Sequence, residues 1–408
     1  MAMRILLVTE DLPSATPGGA AQHAVVLGNA LLEAGHEVHL LGARREDGHD
    51  GRNGFAGTLH TDIDFRGARW QERRTGTFFP LTRPHTARRL AQALAAVTAR
   101  HGPWDVVHYH GHNALFGTRV AGPFVHTLHD QGAECITLMR FRAGQVCQER
   151  SARACAGCAT PRPNALQTAL SVASVRRLRA ASIESFTRHR AIFVSEFLRR
   201  RWLAQQGAAA DAANTHVVHN FVDAARLRRA LATPAPPPSP GRTRVLVAGR
   251  IDAAKGVAAL LAALGDEQLA RIELTVAGSG PEFESTRAAH AGRGVRFTGW
   301  LEAQAVLELA HAADVCVVPS LCEEACPTSV LEALSLGRTV FALDRGATPE
   351  LAPYGEPGQL RLFADLQTLA AALAVGPTPH RWPSHERAAV QARLPEVLSV
   401  YRAARKSR

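Results

Sequence analysis

The run Thr233-Pro234-Ala235-Pro236-Pro237-Pro238-Ser239-Pro240-Gly241 constrains this chain more than any other stretch. Each proline fixes φ and removes a backbone donor, so the run is neither helix nor central strand and reads as an extended linker. The same pattern starts afresh on each side of it. Before it, residues 4 to 9 read as a buried strand, Ala20 to Ala34 as an amphipathic helix ending at Gly35, and Glu37 to Gly42 as the next strand, a β-α-β opening. Further strands are expected at Val106 to Tyr109, Phe124 to Leu128, Ala191 to Val194 and His216 to His219, alternating with helical stretches such as Thr86 to Arg100. After the prolines come strands Arg244 to Ala248, Glu273 to Ala277, Arg296 to Thr298, Val315 to Val318 and Thr339 to Leu343, with helices from Gly256 and over Ala303 to Ala312 between them. The expectation is two α/β domains with parallel sheets at 1–233 and 242–376, a linker at 234–241, and a C-terminal helical segment at 377–408. With 408 residues, 46% of them hydrophobic, there is material for a full core in each half. No repeat of solenoid period is present.

Charge and cysteine narrow the function classes. The net charge is +11, and residues 140 to 201 hold thirteen Arg against three Glu (Glu149, Glu184 and Glu196). Such a density suits either an anionic membrane surface or an acceptor carrying phosphate, or is a solvated Arg-rich face. No recognition module or aromatic RNA-binding signature accompanies it, which argues against nucleic acid. Only Lys255 and Lys406 are lysines, so an interior lysine stands out against an otherwise arginine-only chain. No segment approaches the roughly 20 apolar residues of a membrane span, and an acidic residue, Glu10, comes too early for a signal peptide. A cytoplasmic protein is expected, with peripheral attachment at the inner face of a membrane as a further option. Cys135, Cys147, Cys155 and Cys158 lie close in sequence, the last two as a C-x2-C pair. That spacing suits a structural zinc site, with free thiols in a loop as the alternative.

The chemistry concentrates after the linker. Glu324 and Glu332 flank a helix expected to start near Pro327, which has no N–H to waste in a first turn. The Thr328, Ser329 and Val330 amides would then be open donors, and with the helix dipole they favour a diphosphate, while the two carboxylates accept hydroxyl hydrogen bonds on either side. Gly249-Arg250-Ile251-Asp252-Ala253-Ala254-Lys255-Gly256 follows a strand and enters a helix, placing Arg250 and Lys255 at the C-terminal edge of the second sheet, where α/β proteins bind ligands. Gly278 in Ala277-Gly278-Ser279-Gly280-Pro281 allows close approach of another group or simply makes a tight turn before a helix. In the first half, Pro17-Gly18-Gly19-Ala20 lies between a strand and a helix, and Thr127-Leu128-His129-Asp130 ends a strand. His23 reads as a structural or surface residue, and His108, His110 and His112 as core or loop histidines.

The segment from Glu324 to Glu332, continued by Ala333-Leu334-Ser335-Leu336-Gly337, resembles the E-x7-E signature of glycosyltransferase family 4. The resemblance runs from Gly18-Gly19 to Glu332 and implies the GT-B fold, two Rossmann-like doubly wound domains facing a cleft. It implies a retaining transfer of sugar from a nucleoside diphosphate to an unidentified acceptor hydroxyl, in glycan or glycoconjugate biosynthesis, with no divalent metal required. By the same resemblance, Arg250 and Lys255 clamp the diphosphate, Glu324 holds donor-sugar hydroxyls, Glu332 holds the ribose, and His129, Gly18 and Gly19 complete the donor site. Ser195 and Asn220 match further family positions at strand ends. Cys326 departs from the family, which usually has a larger residue there. The rival readings are a sugar-nucleotide hydrolase or epimerase of the same fold, and a non-catalytic basic protein that binds membranes.

Overall fold

The computed structural model of the protein describes residues 2–12, 18–43, 53–65, 84–158, 164–235, 241–375 and 381–406. The chain forms two compact units, one of residues 1–140, 148–219 and 393–408, the other of residues 141–147 and 220–392.

The first unit is built on β1 (Arg4–Val8), β2 (Glu37–Ala43), β3 (Thr58–Ile63), β4 (Val106–His110), β5 (Phe124–Leu128), β8 (Arg190–Phe193) and β9 (Thr215–Val217). Between β5 and β8 lies a short antiparallel hairpin, β6 (Phe141–Arg142) and β7 (Gln145–Val146), which is assigned to the second unit. The seven strands are parallel and ordered β3-β2-β1-β4-β5-β8-β9. β4 and β5 are buried along their whole length, as strands covered on both faces must be, and one side of the sheet packs Leu6, Val8 and Tyr109 against Leu90, Leu94 and Val97 of the helix Pro84–His101.

The second unit carries β10 (Thr243–Ala248), β11 (Ile272–Ala277), β12 (Arg296–Gly299), β13 (Val315–Val318), β14 (Thr339–Leu343) and β15 (Leu360–Phe363), parallel and ordered β12-β11-β10-β13-β14-β15. Val245, Val247, Leu274, Val317 and Phe341 pack against Leu260 and Leu369 of flanking helices. At the start of the central strands, Arg244 grips Asp314 through Nη2 at 2.8 Å and Nε at 3.2 Å, and this pairing outweighs the burial that would push the Asp314 carboxyl up, so it titrates below its ordinary value.

The units change over between His219 and Asn220, ahead of the proline run. The reason is local: the helix Ala224–Ala232 buries Leu227 and Ala230 and packs on the helix Ala303–Ala312 of the second unit. Pro236, Pro237, Pro238, Ser239 and Pro240 lie outside the described residues. The terminal helix runs from Val390 to Lys406, and its residues from Arg393 belong to the first unit, where Tyr401 is fully buried with its hydroxyl 2.7 Å from His108 Nδ1.

Candidate functional site

In the second sheet β11, β10 and β13 are neighbours, so the loops leaving Ala248, Ala277 and Val318 emerge at one edge. Two of them are zipped together by their backbones. Gly249 N donates to Ala277 O at 2.9 Å and Ile251 N to Ser279 O at 3.0 Å. Gly278 has φ +137°, and a Cβ there would run into the carbonyl oxygen of Gly249. Loop-to-loop contact therefore accounts for this glycine without a nucleotide.

Along the first loop each polar group holds the next. Arg250 Nε donates to Asp252 Oδ2 at 2.6 Å, and Asp252 Oδ1 accepts the Lys255 amide at 3.0 Å, capping the turn Ala253–Lys255. Lys255 Nζ lies 2.6 Å from Glu324 Oε1, with side-chain exposures of 31% and 12%. Burial pulls the Lys255 ammonium down, but the charge and hydrogen bond of Glu324, with Cys322 and Asp252 nearby, leave it above its ordinary value. Lys255 is charged and already committed to a carboxylate. The Arg250 side chain, 58% exposed, keeps much of its guanidinium in solvent.

Glu324 is fixed from three sides. Its Oε1 accepts from Ser320 Oγ at 2.5 Å, its carbonyl accepts from Ala347 N at 2.8 Å, and two residues on, the Cys326 carbonyl accepts from Asn220 Nδ2 at 2.8 Å. The following helix, Thr328–Ser335, has Pro327 as its N-cap in extended conformation, not as a first-turn residue. Of the three amides expected to be open, Val330 N–H is taken, donating to Pro327 O at 3.1 Å. Thr328 and Ser329 keep first-turn amides without an intrahelical acceptor. Val330, Leu331, Ala333 and Leu334 are buried and pin the helix to the core. Glu332, one turn in, lines a small cavity with Ser329, Leu246, Ala248, Leu307 and Val317. Burial among these apolar walls pushes its carboxyl up to about 7, with Arg226 opposing. Arg250, Lys255 and Glu324 thus form one chain of contacts through Asp252, whereas Glu332 has its own apolar recess.

In the first unit, Gly18 caps the helix Gly19–Glu33, and a Cβ at Gly18 or Gly19 would meet nothing within 4 Å. Packing inside the unit does not demand these glycines. Pro17 lies outside the described residues. His129, just past β5, sits with Nε2 3.2 Å from Nδ1 of His110, the last residue of β4. Burial, with the other histidines nearby, holds both imidazoles well below their ordinary range. His112 behaves oppositely: burial would lower it, but Asp130 Oδ2 at 2.6 Å raises it to about 9. His108 is a core residue, bonded to Tyr401 and, at 2.7 Å, to Thr127 Oγ1. Ser195 caps the helix Glu196–Gln206.

Sequence reasoning separated His23 and His110 from His129, yet the structure gathers all three. The available signal was the strand period, which puts His108 and His110 on one face of the sheet. Asp252 and Ser320 join the same chain of contacts, and neither stands out in the sequence as a site residue. Among the described residues, His23, His110 and His129 bring metal-capable side-chain atoms together. The zinc expectation rests on Cys135, Cys147, Cys155 and Cys158, of which Cys147 falls in the second unit and the other three in the first. Their local contacts differ: Cys135 Sγ lies 3.3 Å from Thr137 Oγ1 and Cys155 Sγ 3.4 Å from Arg179 Nη2, and none of the four is in a disulfide.

Residues 17–226 match the family model for Glycosyltransferase Family 4, and residues 242–375 match the model for Glycosyl transferases group 1. The phosphatidyl-myo-inositol mannosyltransferase of Mycolicibacterium smegmatis is 28% identical over 368 residues, which cover 88% of this chain and 80% of that one. Among solved structures, sucrose-phosphate synthase from Thermosynechococcus elongatus matches with a TM-score of 0.61 at 18% identity, over 98% of this chain and 96% of that one. Anabaena HepE in complex with UDP and glucose matches with a TM-score of 0.59 at 15% identity, over 99% of each chain. The structural likenesses speak for the fold, and the first family model alone spans more than half of the sequence. The chain belongs to glycosyltransferase family 4, with the two parallel-sheet α/β domains of the GT-B fold, and is a glycosyltransferase of the hexosyltransferase type.

Proposed function

We propose that the second unit binds a nucleoside diphosphate sugar and that the enzyme passes the sugar to an acceptor hydroxyl with the α-linkage kept. The observation that carries this is the Lys255–Glu324 pair at 2.6 Å, held just ahead of a helix N-terminus. An ammonium, the neighbouring Arg250 guanidinium and the first-turn amides of Thr328 and Ser329 are complementary to a diphosphate. They stabilise it most as the bond from the sugar anomeric carbon to the phosphate oxygen breaks and charge builds on the leaving group. The acceptor oxygen bonds to that carbon as its proton passes to the departing phosphate oxygen on the same face. Glu324 orients the donor sugar and Glu332 the ribose hydroxyls.

The bound UDP and glucose in the HepE structure support a nucleotide-sugar donor, and the mannosyltransferase likeness supports a hexose and a role in glycoconjugate synthesis. Peripheral attachment to an anionic membrane is supported by the thirteen Arg against three Glu in residues 140 to 201. No described helix is long and apolar enough to cross a membrane. The test is a thermal-shift panel of UDP-, GDP-, ADP- and dTDP-sugars with EDTA present, followed by the anomeric configuration of the product by NMR. Stabilisation by one nucleotide that is lost in an Arg250→Ala, Lys255→Ala double variant is expected. Wild-type turnover in that variant, or an inverted product, would sink the proposal.

A further inference from the structure

The starts of three neighbouring strands in the second sheet carry an excess of positive charge. β10, β13 and β14 lie side by side, with Val245 level with Val315 and Val315 level with Thr339. One residue earlier, the same register sets Arg244, Asp314 and Arg338 in a row on one face of the sheet. Leu246 and Cys316, two residues further along that face, line a recess with Leu307 and Ala310 of the helix Ala303–Ala312, so the row lies on the side this helix covers. His311 stands in the last turn of that helix. Arg381 reaches the row from a later segment: Trp382 N donates to Gly337 O at 3.1 Å, Arg381 Nη2 lies 3.9 Å from Asp314 Oδ1, and its Nη1 lies 3.5 Å from the His311 carbonyl. We infer that Arg338, Arg381 and His311 form a binding site for a single tetrahedral oxyanion, a phosphate group that is free or ends a monoester.

Three observations carry the inference. The first is an unmatched donor. Arg338 is 4% exposed, and its Nε donates to Leu336 O at 2.9 Å, but among the described residues its buried Nη1 has no partner. A buried guanidinium with a donor unused is costly, and phosphate oxygens fit its planar fork. The second is the balance of charge. The cluster holds three guanidiniums to one carboxylate, and Arg244 takes both oxygens of Asp314, at 3.2 and 2.8 Å. The crowding shows in Arg338 itself: burial first, then Arg381 and Arg244, pull it down to about 10, with Asp314 opposing. The third is a second buried donor. His311 Nδ1 is likewise buried without a partner among the described residues, and in a neutral imidazole either nitrogen can carry the proton. The Arg381 side chain is 44% exposed, which leaves the cluster open to solvent on its side.

The donor set fixes the ligand class. Guanidinium and imidazole N–H groups supply positive charge and donors, which suits phosphate and excludes a cation. β10 and β13 are six and four residues long. At about 3.3 Å per residue, the row lies on the order of 15 Å from the loops that leave Ala248 and Val318. The site is therefore separate from Arg250 and Lys255, and it stands whether or not those two hold a diphosphate.

The test uses the full chain in wild-type form and as the Arg250→Ala, Lys255→Ala double variant, so that phosphate bound near those cations is not counted. Melting temperature is followed against inorganic phosphate and against glycerol phosphate, with ionic strength held constant by NaCl. Both proteins should show saturable stabilisation beyond that given by NaCl. A larger effect of inorganic phosphate assigns a free ion, and a larger effect of glycerol phosphate assigns a monoester. In the double-variant background, Arg381→Gln, and Arg338→Lys, which keeps the charge and loses the fork, should each weaken binding at least about tenfold. Arg287→Gln, an exposed arginine outside the cluster, should leave binding unchanged. Because Arg381 is part-exposed, Arg381→Gln should melt in NaCl alone as its background does, which separates loss of ligand from loss of fold. No stabilisation beyond NaCl, binding that persists in both cluster variants, or an equal loss in Arg287→Gln would overturn the inference.

Discussion

Glu332 is a carboxylate held near neutrality by its apolar recess, and that has a consequence for stability. Its carboxyl titrates at about 7 in the fold against 4.5 ordinarily. A raised folded value means that the native state keeps a proton that the unfolded chain has released. The associated stability is complete below the ordinary value and is lost as pH rises toward 7, on the order of 3 kcal/mol in all. Urea unfolding of wild type should therefore show a decline between about pH 5 and pH 8 that Glu332→Gln lacks. Equal slopes in the two proteins would show that Glu332 is solvated. Under the proposed ribose contact, a hydroxyl donates better to a carboxylate than to an acid, so nucleotide affinity should rise with pH over the same range. At this scale the sequence spoke plainly through spacing: two glutamates around a helix start and the lone interior lysine on a strand-to-helix loop. Asp252 and Ser320 were silent, because a single Asp or Ser near a turn is commonplace and only the fold brings Ser320 Oγ to 2.5 Å from Glu324.

The loops at the edge of the second sheet behave as a unit. Gly278 sits at φ +137° with the Gly249 carbonyl against its α-carbon, so an added methyl meets both backbone strain and a clash. Gly278→Ala should lose about 1–3 kcal/mol of stability, read by urea unfolding without ligand. An alanine variant as stable as wild type, yet unable to bind nucleotide, would instead assign the glycine to ligand approach. Elements were legible in proportion to their burial. β13, Val-Cys-Val-Val, and β14, Thr-Val-Phe-Ala-Leu, are buried throughout and announce themselves as apolar runs. Two of the four edge strands did not: β3, Thr-Leu-His-Thr-Asp-Ile, and β15, Leu-Arg-Leu-Phe, are partly exposed and lack such a run, whereas the edges β9 and β12 were expected near their observed positions. The sequence reads Pro327 as a first-turn residue because its missing N–H suits either position, and only its ψ of 109° distinguishes the cap.

On the scale of the whole molecule, two repeats of strand and helix on either side of a proline run foretold two α/β units. The helix Ala224–Ala232 ahead of the prolines packs on the helix Ala303–Ala312 of the second unit. Packing decides membership, and a linker composition records only where the chain cannot be regular. The terminal helix obeys the same rule: residues from Arg393 return to the first unit through Tyr401, fully buried on His108, and through Arg405 Nη2, 3.0 Å from Asp105 Oδ1. The salt bridge is half-exposed and contributes little, so the aromatic ring and its hydroxyl should dominate. Tyr401→Ala removes a buried aromatic side chain and leaves His108 Nδ1 without its partner, a cost of about 3–5 kcal/mol. Because that cost falls on one unit, hydrogen exchange should quicken in β4 and β5 while β10, β13 and β14 keep their protection. Tyr401→Phe, which keeps the ring and loses only the hydroxyl, should show a smaller change in the same strands. Equal acceleration in both sheets would mean that the units unfold together, and that the terminal helix stabilises the whole chain more than the unit it packs on.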